Sequence, residues 1–135
     1  MRDFELTSDE EAYLQPILER RTLLAKAKFP KTLTEFLSRW EALILETENG
    51  YPNDLAEFAN EVSCREIIER DIKPGAPESL VRKIDSILRP LDERYIAATG
   101  ELGRAWFGNG DPNLWWWYRC PRSWYQYRQY GKADR

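Results

Sequence analysis

Apolar residues recur at helical spacing over most of the first hundred residues. The clearest stripe runs from Leu33 to Ile44, with apolar side chains three or four positions apart. Thr32 and Glu35 form a capping box in front of this stripe, and Asn49-Gly50 follows it as a stop signal. The pattern therefore predicts a helix between these two signals.

A helix is also predicted at the start of the chain. Ser8 is a good N-cap, and Glu11 three residues later completes a capping box in front of an apolar stripe. Pro16 interrupts the first turns, either as a kink or as the true start of the helix, and Pro30 closes the segment. The short link around Pro30 predicts an antiparallel hairpin with the next helix.

Two more helices follow. Asn53 is the expected N-cap of the third, and a fourth runs from about Glu78 to Ala98 with a kink at Pro90. The outer face of the fourth helix alternates in charge, which is typical of a solvated ladder of ion pairs, with a partner-recognition face as the alternative. The residues of this ladder are Arg82, Asp85, Arg89, Asp92 and Glu93.

The helical pattern dissolves after Gly100, and the segment that follows is rich in aromatic residues. The run Trp115 to Tyr118 has high β propensity and predicts a short extended segment. Alternate side chains would then point to opposite sides, so that one pair fills the core while the other pair remains for a partner. The predicted fold is all-α: a single domain over 1–135, with a bundle of four to five helices over about 8–99. The aromatic, largely irregular segment over about 100–135 packs on this bundle.

Composition excludes several kinds of active site. The chain of 135 residues has no histidine, two cysteines and no glycine-rich phosphate loop. Histidine bases, histidine-ligated metals and a cysteine zinc site are therefore excluded, and neither a cofactor nor an enzymatic activity is expected. The remaining enzymatic alternative is a Mg²⁺ site built from Asp85, Asp92 and Glu93, against which the neighbouring Arg82 and Arg89 would compete.

No membrane association is expected, since no apolar run approaches the length of a spanning helix and the acidic N-terminus does not resemble a signal peptide. The expected location is cytoplasmic.

Charge is distributed unevenly along the chain. Residues 1–111 carry a net charge of −7 and residues 112–135 carry +4. An acidic body favours basic protein partners through electrostatic steering. Tail arginines interleaved with aromatic residues are also typical of single-stranded nucleic-acid binding, but the acidic body makes nucleic acid an unlikely partner. These tail residues are Arg119, Arg122, Arg128, Trp124, Tyr125, Tyr127 and Tyr130.

A buried ion pair is expected near the core. Arg119 and Arg122 border the aromatic cluster, and Arg65 lies among core positions of the third helix. Because a buried arginine needs a carboxylate, Asp92 is expected to tie the fourth helix either to Arg65 or to the tail.

The chain contains three short motifs: NEVSCREIIER at 60–70, LDERY at 91–95 leading to Thr99, and WWWYRCP at 115–121. Together they resemble small helical immunity proteins of bacterial toxin–immunity loci, in which phenylalanine is more usual than tyrosine at the position of Tyr95. The matching positions are expected to be framework rather than interface. They are Asn60, Arg65, Asp92, Tyr95, Thr99, Trp116, Trp117, Arg119 and Pro121.

The resemblance implies an immunity protein that binds and neutralises a cognate toxin domain, which is often a nuclease with a basic cleft. The acidic body would then meet that cleft through acids around the turn between the second and third helices. The candidate contact residues are Glu46, Glu48, Asp54, Glu57 and Glu61. The alternative function is a small interaction or adaptor protein of an unrelated pathway.

Overall fold

The computed structural model describes residues 5–25, 32–106 and 110–126. It is a helical bundle with a short irregular cap, as predicted. The helices are α1 (Ser8–Ala25), α2 (Leu33–Glu48), α3 (Leu55–Ile67), α4 (Glu78–Ala98) and α5 (Arg122–Gln126); α3 continues into a π-helical turn (Ile68–Ile72). A 3₁₀ turn (Trp115–Tyr118) precedes the second of two short strands, β1 (Thr99–Glu101) and β2 (Arg119–Pro121). The expectations that involve Pro30 and the aromatic residues from 127 onward lie outside the described residues.

The core forms around α2, which packs against both α3 and α4. Phe36, Leu37, Trp40 and Ile44 of α2 are completely buried, in agreement with the predicted stripe. Burial of such side chains supplies most of the free energy that holds the helices together. The capping box of Thr32 and Glu35 is present, and α2 ends before Gly50, whose φ of 90° suits only glycine.

The fourth helix has the predicted bounds and continues through Pro90, whose ring is exposed. Its buried face carries Leu80, Ile84, Leu88, Leu91 and Tyr95. None of the helices within the described ranges is long and apolar enough to cross a membrane.

Two predicted caps are wrong by one residue. The capping box of α1 joins Thr7 and Glu10 through bonds of 2.9 and 3.1 Å, in place of Ser8 and Glu11. The N-cap of α3 is Asp54, in place of Asn53. In both places two neighbouring residues have good capping side chains, so the local sequence does not decide between them.

The aromatic run does not form the extended segment that its β propensity predicts. Trp115 to Tyr118 form a 3₁₀ turn, in which Trp116 and Trp117 are both buried. Adjacent residues of a strand point to opposite faces, so a strand could not bury these two neighbours in one core. The flanking strands then pair antiparallel, with Gly100 opposite Cys120.

Candidate interaction surface

Three of the five predicted contact acids converge on one patch of the surface. Glu46 lies near the end of α2, and Glu57 and Glu61 lie one turn apart on α3. None of the three forms an ion pair with a lysine or arginine of the described residues. We call Glu46, Glu57 and Glu61 the acidic patch.

Glu61 is the least solvated member of the acidic patch. It is half-buried, and the hydroxyl of Tyr51 donates to its Oε1 at 3.1 Å. Burial, followed by the charges of Glu46 and Glu57, raises the pKa of Glu61 to about 7. Ionisation of Glu61 therefore costs free energy, because its carboxylate is partly buried and lies near two other negative charges.

Tyr51 fixes the position of Glu61, one member of the acidic patch, relative to the core. Its ring is buried and packs edge-on against Phe58 at 5.0 Å and against Trp124 at 5.7 Å. Sequence reasoning missed Tyr51, since a lone tyrosine in a turn gives no signal that connects it to a glutamate ten residues later.

The other two predicted contact acids are engaged within the fold. Glu48 accepts two hydrogen bonds from Arg94 of α4, at 2.8 and 2.9 Å, and this pairing lowers the pKa of Glu48. Asp54 accepts the backbone N–H of Glu57 at 2.9 Å as the N-cap of α3. Both carboxylates already have partners, so they are weaker candidates for intermolecular contacts than the acidic patch.

The expected ion pair between Asp92 and Arg65 is present. Asp92 Oδ2 accepts from Arg65 Nη2 at 2.8 Å, and Oδ1 accepts from Arg65 Nε at 3.1 Å and from Trp40 Nε1 at 3.0 Å. Arg65 also pairs with Glu69 at 2.9 Å, and its guanidinium carbon lies 4.5 Å from the ring centre of Trp116. Arg65 is 5% exposed, so these contacts join α2, α3, α4 and the aromatic turn inside the molecule.

Arg119 and Arg122, the alternative partners for Asp92, bind uncharged oxygens instead. Arg119 donates to the hydroxyl of Thr99 at 2.8 Å and to the carbonyls of Ile96 and Thr99 at 3.1 Å. Arg122 donates to the carbonyl of Ala97 at 2.9 Å. Both arginines cap the end of α4, where the helix dipole places partial negative charge.

The remaining positions of the resemblance divide into two groups. The hydroxyl of Tyr95 donates to the carbonyl of Trp116 at 3.1 Å, Trp117 Nε1 donates to Glu66 at 2.6 Å, and Pro121 pairs with Thr99 across the strands. These residues are framework. Asn60 is exposed, and its side chain has no hydrogen bond within the described residues.

The acids on the outer face of α4 do not form the expected ladder along the helix. Asp85 binds Lys73 at 2.8 Å and Asp92 binds Arg65, so both carboxylates pair outside α4. Of the ladder residues, Arg82 does pair along the helix, with Glu78 at 3.2 Å. Within the described residues there is also no group of three or more cysteine, aspartate and glutamate side chains that could hold a metal ion.

A buried carboxylate that sequence reasoning missed ties α1 to α4. Glu10 Oε1 accepts from Lys83 Nζ at 2.7 Å, and Oε2 accepts from the hydroxyl of Ser79. These two hydrogen bonds, Lys83 first, lower the pKa of Glu10 to about 2. The capping position of Glu10 was the available signal, but nothing local indicates its partners 69 and 73 residues away.

No family model matches the chain, and neither a curated protein nor a solved structure matches it.

Proposed function

We propose that this protein is a protein-binding inhibitor of the immunity type, which neutralises a cognate bacterial toxin domain by covering a basic surface of it with the acidic patch. The observation that carries the proposal is the convergence of Glu46, Glu57 and Glu61, none of which forms an ion pair in the described part of the chain. The proposal also rests on the resemblance at Arg65, Asp92 and the aromatic turn.

Binding of a cation would relieve the cost of holding the patch together. The raised pKa of Glu61 means that its charge is disfavoured in the free protein. A lysine or arginine of a partner would favour the charged form of all three carboxylates. This gain in free energy appears only in the complex. Like charges on one face also speed the encounter with a basic protein, especially at low salt.

The framework supports a rigid presentation of this patch. Tyr51 connects Glu61 to Phe58 and Trp124, and the Arg65–Asp92 pair fixes α3 against α4. The side chain of Glu61, held this way, loses little conformational entropy on binding.

The test begins with capture of a partner by the tagged protein at low salt, followed by co-expression of that partner in cells. A captured protein that kills cells, and is neutralised by co-expression, would support the immunity function. The double variant Glu46→Gln/Glu57→Gln should slow association at least tenfold at low salt, and the difference should shrink at high salt.

A matched control separates patch charge from total charge. The variant Glu11→Gln/Glu93→Gln changes the net charge equally, at two exposed acids on α1 and α4. Equal effects of both double variants would refute the acidic patch as the contact surface. A captured partner without toxicity would favour the adaptor function instead.

A further inference from the structure

A second surface feature is a groove on the side of the 3₁₀ turn that faces away from the core. A groove of about 420 Å³ runs between the last turn of α4 and the 3₁₀ turn. It is lined by Ile96, Glu101, Gly103, Pro112, Trp115, Tyr118 and Arg119.

The 3₁₀ turn explains why two aromatic residues line this groove. Side chains three positions apart in a 3₁₀ turn lie on the same side. Trp115 and Tyr118 therefore face the groove together and are half-buried, while Trp116 and Trp117 fill the core. The aromatic run thus provides a core pair and a surface pair, although the pairs differ from those that a strand would give.

The groove also exposes an apolar side chain of α4. Ile96 is 43% exposed, and Leu45 on α2 is the other large apolar side chain that is this exposed within the described ranges. Ile96, Pro112 and the two aromatic rings form an apolar, aromatic wall of the kind that accepts an extended peptide.

Two polar groups in the groove have no partner among the described residues. The indole N–H of Trp115 has no acceptor, yet it is not enclosed like that of Trp116. Glu101 is exposed and forms no ion pair. Arg119, by contrast, uses its guanidinium to cap α4. The groove therefore offers the indole N–H of Trp115 as a donor and the carboxylate of Glu101 as an acceptor, beside the guanidinium of Arg119, which keeps its positive charge because its partners are uncharged oxygens.

We propose that this groove binds an extended, proline-containing segment of a partner protein that carries a basic side chain. Proline rings pack against the aromatic wall, and the polyproline conformation loses little entropy on docking. The indole of Trp115 donates to a backbone carbonyl of the segment, and Glu101 pairs with its lysine or arginine. This inference goes beyond the proposed function, since it holds for a partner that is a toxin or for any other.

A library of random ten-residue peptides displayed on phage, panned on the intact protein, tests the proposal. We expect the enriched peptides to contain proline and at least one lysine or arginine. Such a peptide, synthesised and titrated, should shift the indole N–H resonance of Trp115. Enrichment of peptides without proline, or no enrichment at all, would overturn the proposal.

Matched variants then locate the binding site. Ile96→Ala should weaken the selected peptide at least about fivefold, while Leu45→Ala, a change of equal size at the other exposed apolar residue, should leave binding unchanged. Trp115→Phe should weaken binding about fivefold through loss of the N–H donor while keeping an aromatic ring.

The charge of Glu101 is tested in the same way. Glu101→Gln should weaken the peptide at low salt and have little effect at high salt, whereas Glu93→Gln on α4 should have no effect. If Leu45→Ala and Glu93→Gln weaken binding as much as the groove variants do, the groove is not the site. This outcome would leave the toxin-neutralisation test, which concerns the acidic patch, unaffected.

Discussion

Asp92 accepts hydrogen bonds from two different helices, from Trp40 of α2 and from Arg65 of α3. Replacement by asparagine removes one of the two carboxylates that balance the buried Arg65 and leaves Glu69 as the other. Because Asp92→Asn weakens the hydrogen bonds of the buried guanidinium while Glu69 still pairs with it, we expect the free energy of unfolding to fall by about 2 kcal/mol. Urea denaturation at pH 7 measures this loss.

A control for this prediction is Asp85→Asn. Asp85 also pairs with a cation of another element, Lys73, but its side chain is 40% exposed. Exposed pairs contribute about 1 kcal/mol or less, so the control variant should unfold close to the wild type. Losses of equal size in the two variants would contradict the structural role given to Asp92.

Glu61 makes the stability of the protein depend on pH in an unusual direction. Its pKa in the folded state, about 7, lies above the ordinary value of 4.5, so the folded state binds the proton more tightly than the unfolded state does. The stabilisation by this proton is complete below pH 4.5 and is lost as the pH rises to about 7.

Glu61→Gln should therefore become more stable relative to the wild type as the pH rises from 4.5 to 7. Thermal melts across this range measure the difference. Titration of the Glu61 carboxyl by carbon-13 NMR provides the direct check, and the variant Glu46→Gln should bring its pKa closer to the ordinary value. A midpoint near 4.5 in the wild type would contradict the description of the patch.

At the scale of elements, the part of α1 whose side chains are described, up to residue 20, has little apolar burial. Leu14 is the one apolar side chain of residues 5–20 that is fully buried, and Glu10 supplies the main polar tie to α4. We expect Glu10→Gln to accelerate hydrogen exchange in α1 while α2 to α4 change little. Glu11→Gln, an exposed change of the same charge, should leave exchange in α1 as it is.

The same tie has a pH dependence opposite to that of Glu61. The pKa of Glu10 is lowered to about 2, so its contribution to stability is present above pH 4.5 and is lost as the pH falls toward 2. Between these limits the wild type should lose more stability than Glu10→Gln, as measured by urea denaturation at each pH.

The C-terminal segment is attached to the bundle at the end of α4, where Arg119 and Arg122 bind the last residues of the helix and Thr99. The hydroxyl of Thr99 donates to the carbonyl of Tyr95 at 2.7 Å and accepts from Arg119. Thr99→Val preserves the shape but leaves both partners unsatisfied, so we expect a loss of about 1–3 kcal/mol in thermal or urea unfolding. Ser86→Ala removes an exposed hydroxyl that binds the carbonyl of Lys83, and should change stability by less than about 0.5 kcal/mol.

At the scale of the whole molecule, the sequence predicts those features that depend on residues close together in the chain. The bounds of α4 and the cap of α2 follow from local signals, and the Arg65–Asp92 pair follows from the need of a buried arginine for a carboxylate. The pairing of Glu48 with Arg94 and of Tyr51 with Glu61 depends on how the helices cross, which no local signal encodes. The cap of α1 also depends on distant partners, since Lys83 and Ser79 hold Glu10 rather than Glu11.

The aromatic run shows the limit of β propensity as a predictor. That propensity describes how well a side chain fits a pleated, half-buried surface. Here the bundle offers a pocket for two neighbouring tryptophans, and burial of Trp116 and Trp117 together outweighs the local preference. The all-α body with an irregular cap is predicted correctly. The groove could not be predicted, because it is formed by the 3₁₀ turn that takes the place of the expected extended segment.

The two buried cysteines allow the opening of the fold to be followed by the reactivity of their thiols. Cys64 lies in α3 and Cys120 in β2, and neither forms a disulfide. Burial raises the pKa of Cys64 to about 11, and thiol reagents attack the thiolate of an exposed cysteine. Because Trp116 and Trp117 anchor the cap in the core, we expect both thiols to be modified at one common rate, measured by mass spectrometry of the labelled peptides. Faster modification of Cys120 would mean that the cap detaches while the bundle stays folded.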